Sequence, residues 1–122
     1  MRSKSSKTKS YKLGYIAEYW VAFLLILSFY KIIKMRYKTK VGEVDIIAKR
    51  GKALYFIEVK FRSDFDGGAN AITDKSKLRI RRAAQHYIVA HMSESLNMDF
   101  DMQCDVIIVN KYFFIKRIRN AF

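Results

Sequence analysis

The sequence predicts an α/β fold, a mixed sheet flanked by helices. Two segments carry apolar residues at helical spacing. Short apolar runs, rich in β-branched and aromatic residues, lie between and after them. The order is helix, strands, helix, strands. The chain has 122 residues, the length of one domain. At this size folding buries roughly two-thirds of the surface that the unfolded chain exposes. Proline is absent, no Gly- or Ser-rich linker divides the chain, and no repeat is visible. The expected organisation is a basic flexible tail over residues 1–12 and a single domain over residues 13–122.

The first helix is expected from Tyr11 to about Ser28. Leu13, Ile16, Ala17, Trp20, Leu24 and Leu27 follow its period. Phe29 to Met35 mixes apolar and basic residues and turns into a first strand. Val44 to Ala48 is a short apolar strand with one acid. Lys49-Arg50-Gly51-Lys52 is a turn, and Ala53 to Phe61 is the next strand. Ser63 to Asn70 reads as a loop pivoting on Gly67-Gly68. A second helix runs from about Asp74 to Met92, with Thr73 or Asp74 as N-cap. Ile80, Ala83, Ala84, Tyr87, Ile88 and His91 form its buried face. Ser93 to Gln103 is a polar connection. Val106 to Val109 and Tyr112 to Ile118 are the last strands.

Charge narrows the function. There are 24 Lys+Arg against 11 Asp+Glu, a formal charge of +13. That excess points to a polyanionic partner. A single cysteine, Cys104, excludes a disulfide framework and a cysteine-built zinc finger. It reads as a buried, inert thiol, and a cytoplasmic setting fits best. Two histidines, His86 and His91, exclude most His-rich metal sites. Only Tyr19 to Tyr30 is free of charge around the first helix, too short to span a bilayer. No small-residue cleavage pattern follows it. No membrane partner is expected. The competing reading, a protein anchored by this helix, requires an exposed Tyr19–Tyr30 face. Phe61, Phe65, Tyr112, Phe113 and Phe114 could stack on bases, but core packing is the expectation.

The acids are few, and three sit in apolar surroundings. Glu18 lies inside the first helix, Asp45 within Val-Asp-Ile-Ile, and Glu58 within Phe-Ile-Glu-Val. A buried unpaired carboxylate costs several kcal/mol. In an antiparallel pair, facing residue numbers have a constant sum. A turn centred between Gly51 and Lys52 sets Asp45 opposite Glu58, with Cβ atoms about 4.5–5.5 Å apart. Lys60, two residues on, shares the Glu58 face. Such carboxylates repel by about 3 kcal/mol at an effective dielectric near 20. Magnesium, or manganese, removes the repulsion, since it takes one or two carboxylates plus waters and phosphate oxygens. The Val59 carbonyl offers a further oxygen. The pattern suits phosphodiester hydrolysis, with the metal acidifying water and Lys60 assisting. The same residues also allow ordinary strand salt bridges with Lys60, Arg62 or Lys49, and Glu18 could pair with a basic strand. Arg79, Arg81 and Arg82 fit either phosphate contacts or a solvated face.

Gly42-Glu-Val-Asp-Ile-Ile-Ala48 followed by Phe56-Ile-Glu-Val-Lys-Phe-Arg62 resembles the PD-(D/E)XK nucleases. More closely, the chain resembles the YraN family of small bacterial proteins, akin to Holliday-junction resolvases. Gly14-Tyr-Ile-Ala-Glu18, Gly67-Gly-Ala-Asn-Ala-Ile-Thr73, Arg81-Arg-Ala-Ala-Gln-His-Tyr87, Cys104-Asp-Val-Ile-Ile-Val109 and Ile118-Arg-Asn-Ala-Phe122 match further stations in order. Tyr30 to Val41 departs from the family, being lysine-rich and lacking the Arg-Asn before the Gly-Glu motif.

The resemblance implies a restriction-endonuclease-like fold, with a mixed central sheet flanked by helices on both sides. It implies a divalent-metal-dependent DNA endonuclease, of which selectivity for branched or junction DNA is one form. Asp45, Glu58 and Lys60 match the catalytic triad. Glu18 matches the first-helix acid that supports the metal, Mg²⁺ or Mn²⁺, alongside Asp45, Glu58 and Val59. Arg62, Lys75, Lys77, Arg79, Arg81, Arg82 and Gln85 are the expected nucleic-acid contacts. A homodimer follows from analogy with enzymes that cut junctions symmetrically. The rival reading is a non-catalytic nucleic-acid-binding protein that keeps the fold.

Overall fold

The structure, a computed structural model, describes residues 4–62, 73–92 and 101–121. Its elements run α1 (Lys4–Leu27), β1 (Lys31–Lys38), β2 (Glu43–Arg50), β3 (Ala53–Phe61), α2 (Asp74–Met92), β4 (Asp101–Val109) and β5 (Ile115–Ile118). The strands form one sheet in chain order. β1, β2 and β3 make an antiparallel meander, β4 joins β3 in parallel, and β5 closes antiparallel on β4. The parallel step needs a crossover, and α2 lies within it. This is the expected mixed sheet with a helix on each side.

β3 and α2 fall at their expected bounds. Thr73 is the N-cap: its hydroxyl accepts the Ser76 N–H at 3.1 Å. Elsewhere the boundaries move. α1 begins at Lys4 rather than Tyr11, so the expected basic tail is helical from that point. Lys, Ser and Thr carry only small helix penalties, and no glycine or proline precedes Gly14. β1 is displaced to Lys31–Lys38 because the chain first turns at Phe29, whose φ is 69°. β4 starts at Asp101, earlier than Val106, because parallel pairing with Ala53–Ile57 recruits its polar half. The loop expected over Ser63–Asn70, with Phe65, lies outside the described residues, as does most of the connection expected over Ser93–Gln103.

The core has two layers. Val21, Leu25, Ile46, Ile57 and Ile107 pack between α1 and the sheet. Ile47, Leu54, Phe56, Ile80, Ala83 and Ala84 pack between α2 and the other face. Each large side chain buried there contributes about 1.5–3 kcal/mol. The α1 face differs from expectation: Ala17, Val21, Ala22 and Leu25 are buried, whereas Leu13, Ile16 and Leu27 are exposed. A helix apolar almost all round leaves its buried stripe undecided by spacing alone. Small Ala17 and Ala22 let the helix approach the sheet. Tyr112, Phe113 and Phe114 are also exposed rather than packed in the core.

One irregularity positions the site. Ile46 packs with α1, yet Val44, two residues earlier, packs with α2. Regular alternation would put both on one face. The paired strand mirrors this, with Met35 on the α1 side and Tyr37 on the α2 side. The register stays constant across the switch, Met35↔Ile46 and Tyr37↔Val44. Both strands therefore change faces at Arg36 and Asp45, and Arg36 takes a φ of 55°. Gly42, just upstream, lies against α2 so closely that a Cβ would overlap the Arg79 carbonyl oxygen.

Candidate functional site

The β2–β3 register is the expected one: Ile46↔Ile57, Ile47↔Phe56 and Ala48↔Tyr55. Continued by one pair, it sets Asp45 opposite Glu58. Pairing ends at Ile46, where β2 changes faces. The Asp45 carboxylate then accepts the Val59 N–H at 2.8 Å, satisfying a donor that the ladder leaves free. Glu58 and Lys60 alternate with Tyr55, Ile57 and Val59, which face α1, so they project from the opposite side. Lys60 Nζ lies 3.2 Å from Glu58 Oε1. Glu18 reaches the hairpin's end from α1 and is bound by Arg36 Nε at 2.8 Å. The Arg36 guanidinium also lies over the Tyr15 ring, 3.3 Å from its centroid. A cavity of about 270 Å³ opens beside Glu18, Arg36, Glu43 and Asp45.

Three carboxylates thus meet two cations. Burial and the Asp45 charge push Glu18 up to about 7, against the pull of Arg36. Burial and Asp45 likewise push Glu58 up to about 7, against Lys60. A hydrogen bond shared with Asp45 favours the protonated Glu58. Burial raises Asp45 too, opposed by the Val59 N–H and Lys60. Asp45 is therefore the central member, with a glutamate on either side. Among the described residues no group of three or more His, Cys, Asp or Glu side chains is gathered tightly enough to hold a metal ion. The donor set still suits a hard cation. Two strand carboxylates and the Val59 carbonyl are the kind of oxygen donor that magnesium takes, together with waters.

The expected nucleic-acid contacts are dispersed. Arg79 pairs with Glu43 at 3.3 Å and so borders the cavity. Lys75, Arg81 and Arg82 are exposed and Lys77 is half-buried, on the helix that covers the sheet face toward which Glu58 and Lys60 project. Arg62 is exposed at the end of β3. Gln85 lines a separate groove of about 430 Å³ with Arg82 and His86. His86 bonds the Tyr37 hydroxyl at 2.6 Å, and His91 stacks on Tyr87. Cys104 is buried, and its thiol is pushed up to about 11, so it stays protonated and inert.

Two residues escaped the sequence reading. Arg36 belongs to the basic strand that could have partnered Glu18, and only the face switch selects it. Asp105 is fully buried. Arg117 grips one oxygen at 2.7 and 3.0 Å, and the Asn120 N–H donates to the other at 2.9 Å. An acid inside an apolar strand was the available signal, the same one that marked Asp45.

Fold and site define a class: an α/β protein whose meander splays open at one end around crowded carboxylates and a lysine. The particular family follows from comparison. The model described as "Uncharacterised protein family UPF0102" matches residues 17–109. A UPF0102 protein of Sinorhizobium fredii is 36% identical over 124 residues, covering 99% of this chain and 97% of the relative. UPF0102 proteins of Rhodopseudomonas palustris and Parvibaculum lavamentivorans are 34% and 35% identical, covering 84% and 82% of this chain and 74% and 73% of theirs. The chain belongs to the UPF0102 family, that of the YraN proteins.

Proposed function

We propose that this protein is a divalent-metal-dependent endonuclease that hydrolyses DNA phosphodiester bonds, with branched or junction DNA as the preferred substrate. One observation carries the reading: three carboxylates crowd the splayed end of a strand pair, two of them raised to about 7, beside a lysine. Outside such a site, a crowd of this kind only destabilises the fold. Mg²⁺ or Mn²⁺ would be held by Asp45, Glu58 and the Val59 carbonyl, with Glu18 acting through a water. When bound, the ion acidifies a water and steadies charge on the phosphate.

The chain's own residues do the rest. The Val59 N–H holds Asp45 in place. Glu58 tethers Lys60, whose ammonium orients the attacking water or meets the developing charge. Arg62 and the cations of α2 hold the DNA backbone without reading sequence. The test is cleavage of a four-way junction and of plasmid DNA with Mg²⁺ by wild type, Asp45→Ala and Lys60→Ala. The wild type alone is expected to cut, and equal cleavage by all three would remove the proposal.

A second reading, a non-catalytic nucleic-acid-binding protein, draws on the local cations. Arg36 and Lys60 already partner Glu18 and Glu58. Calorimetry with Mn²⁺ separates the two, since only the nuclease reading requires Asp45-dependent heat.

A further inference from the structure

The outer surface of α1 and the β4–β5 hairpin carries an apolar face that neither core layer covers. Tyr19, Phe23 and Ile26 are 64%, 51% and 56% exposed, and Phe29, just past the helix, is 90% exposed. Tyr112 and Phe114 on the hairpin are each 66% exposed. The Trp20 indole N–H donates to the Phe113 carbonyl at 2.9 Å, so helix and hairpin present one surface. An open apolar notch of about 540 Å³ lies between them. Ile16, Tyr19, Trp20, Phe23 and Phe113 line it, so helix and hairpin share one continuous apolar surface there.

Charge identifies the occupant. The only acid of α1, Glu18, is turned inward onto Arg36. No acid follows Asp105 in the sequence. Lys12, Lys111, Lys116 and Arg119, on the same two elements, are exposed. Among the described residues, the exposed charges of α1 and of the chain from the β4–β5 turn onward are therefore cations alone. A second copy docked through this face would set those cations against their own images, because a two-fold interface is isologous. Negative head groups above an apolar interior satisfy both features. Among the described residues no helix is long and apolar enough to cross a membrane. α1 would instead lie along the membrane surface, offering its exposed apolar face while its other apolar face stays packed on the sheet. We propose that α1 and the β4–β5 hairpin dock this protein on an anionic phospholipid surface, with Phe23, Ile26 and Phe29 entering the acyl boundary. Contact of this kind needs no membrane-spanning segment.

The test is co-sedimentation of the full chain with phosphatidylcholine vesicles, with and without phosphatidylglycerol. Trp20 is the only tryptophan and borders the notch, so its emission reports docking. Partition onto the anionic vesicles alone is expected, with a blue shift of Trp20 emission. Phe23→Glu and Ile26→Glu, at exposed positions, should each weaken partition by about tenfold or more with unchanged circular dichroism. Absence of partition overturns the proposal, as does undiminished partition of both variants. A wild-type dimer that Phe23→Glu makes monomeric, with no vesicle binding, would assign the face to a second copy. Quenching of Trp20 by single-stranded DNA without vesicle binding would assign it to nucleic acid.

Discussion

Replacing Glu58 by glutamine tests the cost of burying this carboxylate beside Asp45. Glu58 ionises near 7 in the folded chain, against an ordinary value of 4.5. That difference corresponds to about 3 kcal/mol against the charged form. The folded state thus holds the proton more tightly than the unfolded chain does. Its contribution is fully present below about 4.5 and is lost as pH rises through about 7. Glutamine keeps the shape and removes the charge. At pH 8, Glu58→Gln should therefore unfold about 2–3 kcal/mol later than wild type, or about 10 °C higher for a domain of this size. At pH 4 the two should unfold together, because wild-type Glu58 is then protonated in both states. The assay is urea and thermal unfolding followed by circular dichroism at both pH values. Equal stability at pH 8, or a stabilisation of the same size at pH 4, would refute this expectation, since either would show that burial and Asp45 do not disfavour the Glu58 charge.

Arg36→Met removes the one ion-pair partner of Glu18 among the described residues and should cost about 2–3 kcal/mol at pH 8. The loss should shrink at pH 5, where Glu18 is protonated; unfolding at the two pH values measures it. Gly42→Ala drives a methyl into the Arg79 carbonyl and should cost about 3 kcal/mol, read from the denaturation midpoint. Mg²⁺ or Mn²⁺ should raise the melting temperature at pH 8 in wild type and leave Asp45→Asn unmoved, in a thermal scan against metal concentration. Asp105→Asn should cost about 3 kcal/mol, read from urea unfolding, by leaving Arg117 without its carboxylate.

The hairpin was the most legible part of the chain. Its turn residues and the paired apolar runs determine a register, and the observed pairs keep the sum that Asp45 and Glu58 require. The bounds of α2 were equally legible, because Thr73 caps it and Ile80, Ala83 and Ala84 bury as their spacing implies, but His91, expected on the buried face, is exposed. α1 was not, since its residues are apolar on both sides and only the shape of the sheet selects Ala17 and Val21 over Ile16 and Leu27. The face switch at Arg36 and Asp45 was hidden for a different reason. A backbone φ of 55° at an arginine leaves no mark in residue type, where a glycine would have.

The two kinds of buried acid in this chain separate structure from chemistry. Asp105 has a full set of partners: a guanidinium on one oxygen and a backbone N–H on the other. Nothing is left over for a ligand, and the Arg117 contact to the Tyr30 hydroxyl at 3.0 Å extends the same bracing to the start of β1. At the splayed hairpin, by contrast, Glu18 and Glu58 contact Arg36 and Lys60, Asp45 accepts the Val59 N–H, and Lys38 lines the adjoining cavity with no ion pair of its own among the described residues. The three carboxylates crowd one another beside that cavity, at the point where both strands change faces. Protons near neutral pH relieve part of the crowding, and a divalent cation would relieve the rest. Shared partners and mutual repulsion, rather than a full set of bonds, distinguish these carboxylates from Asp105.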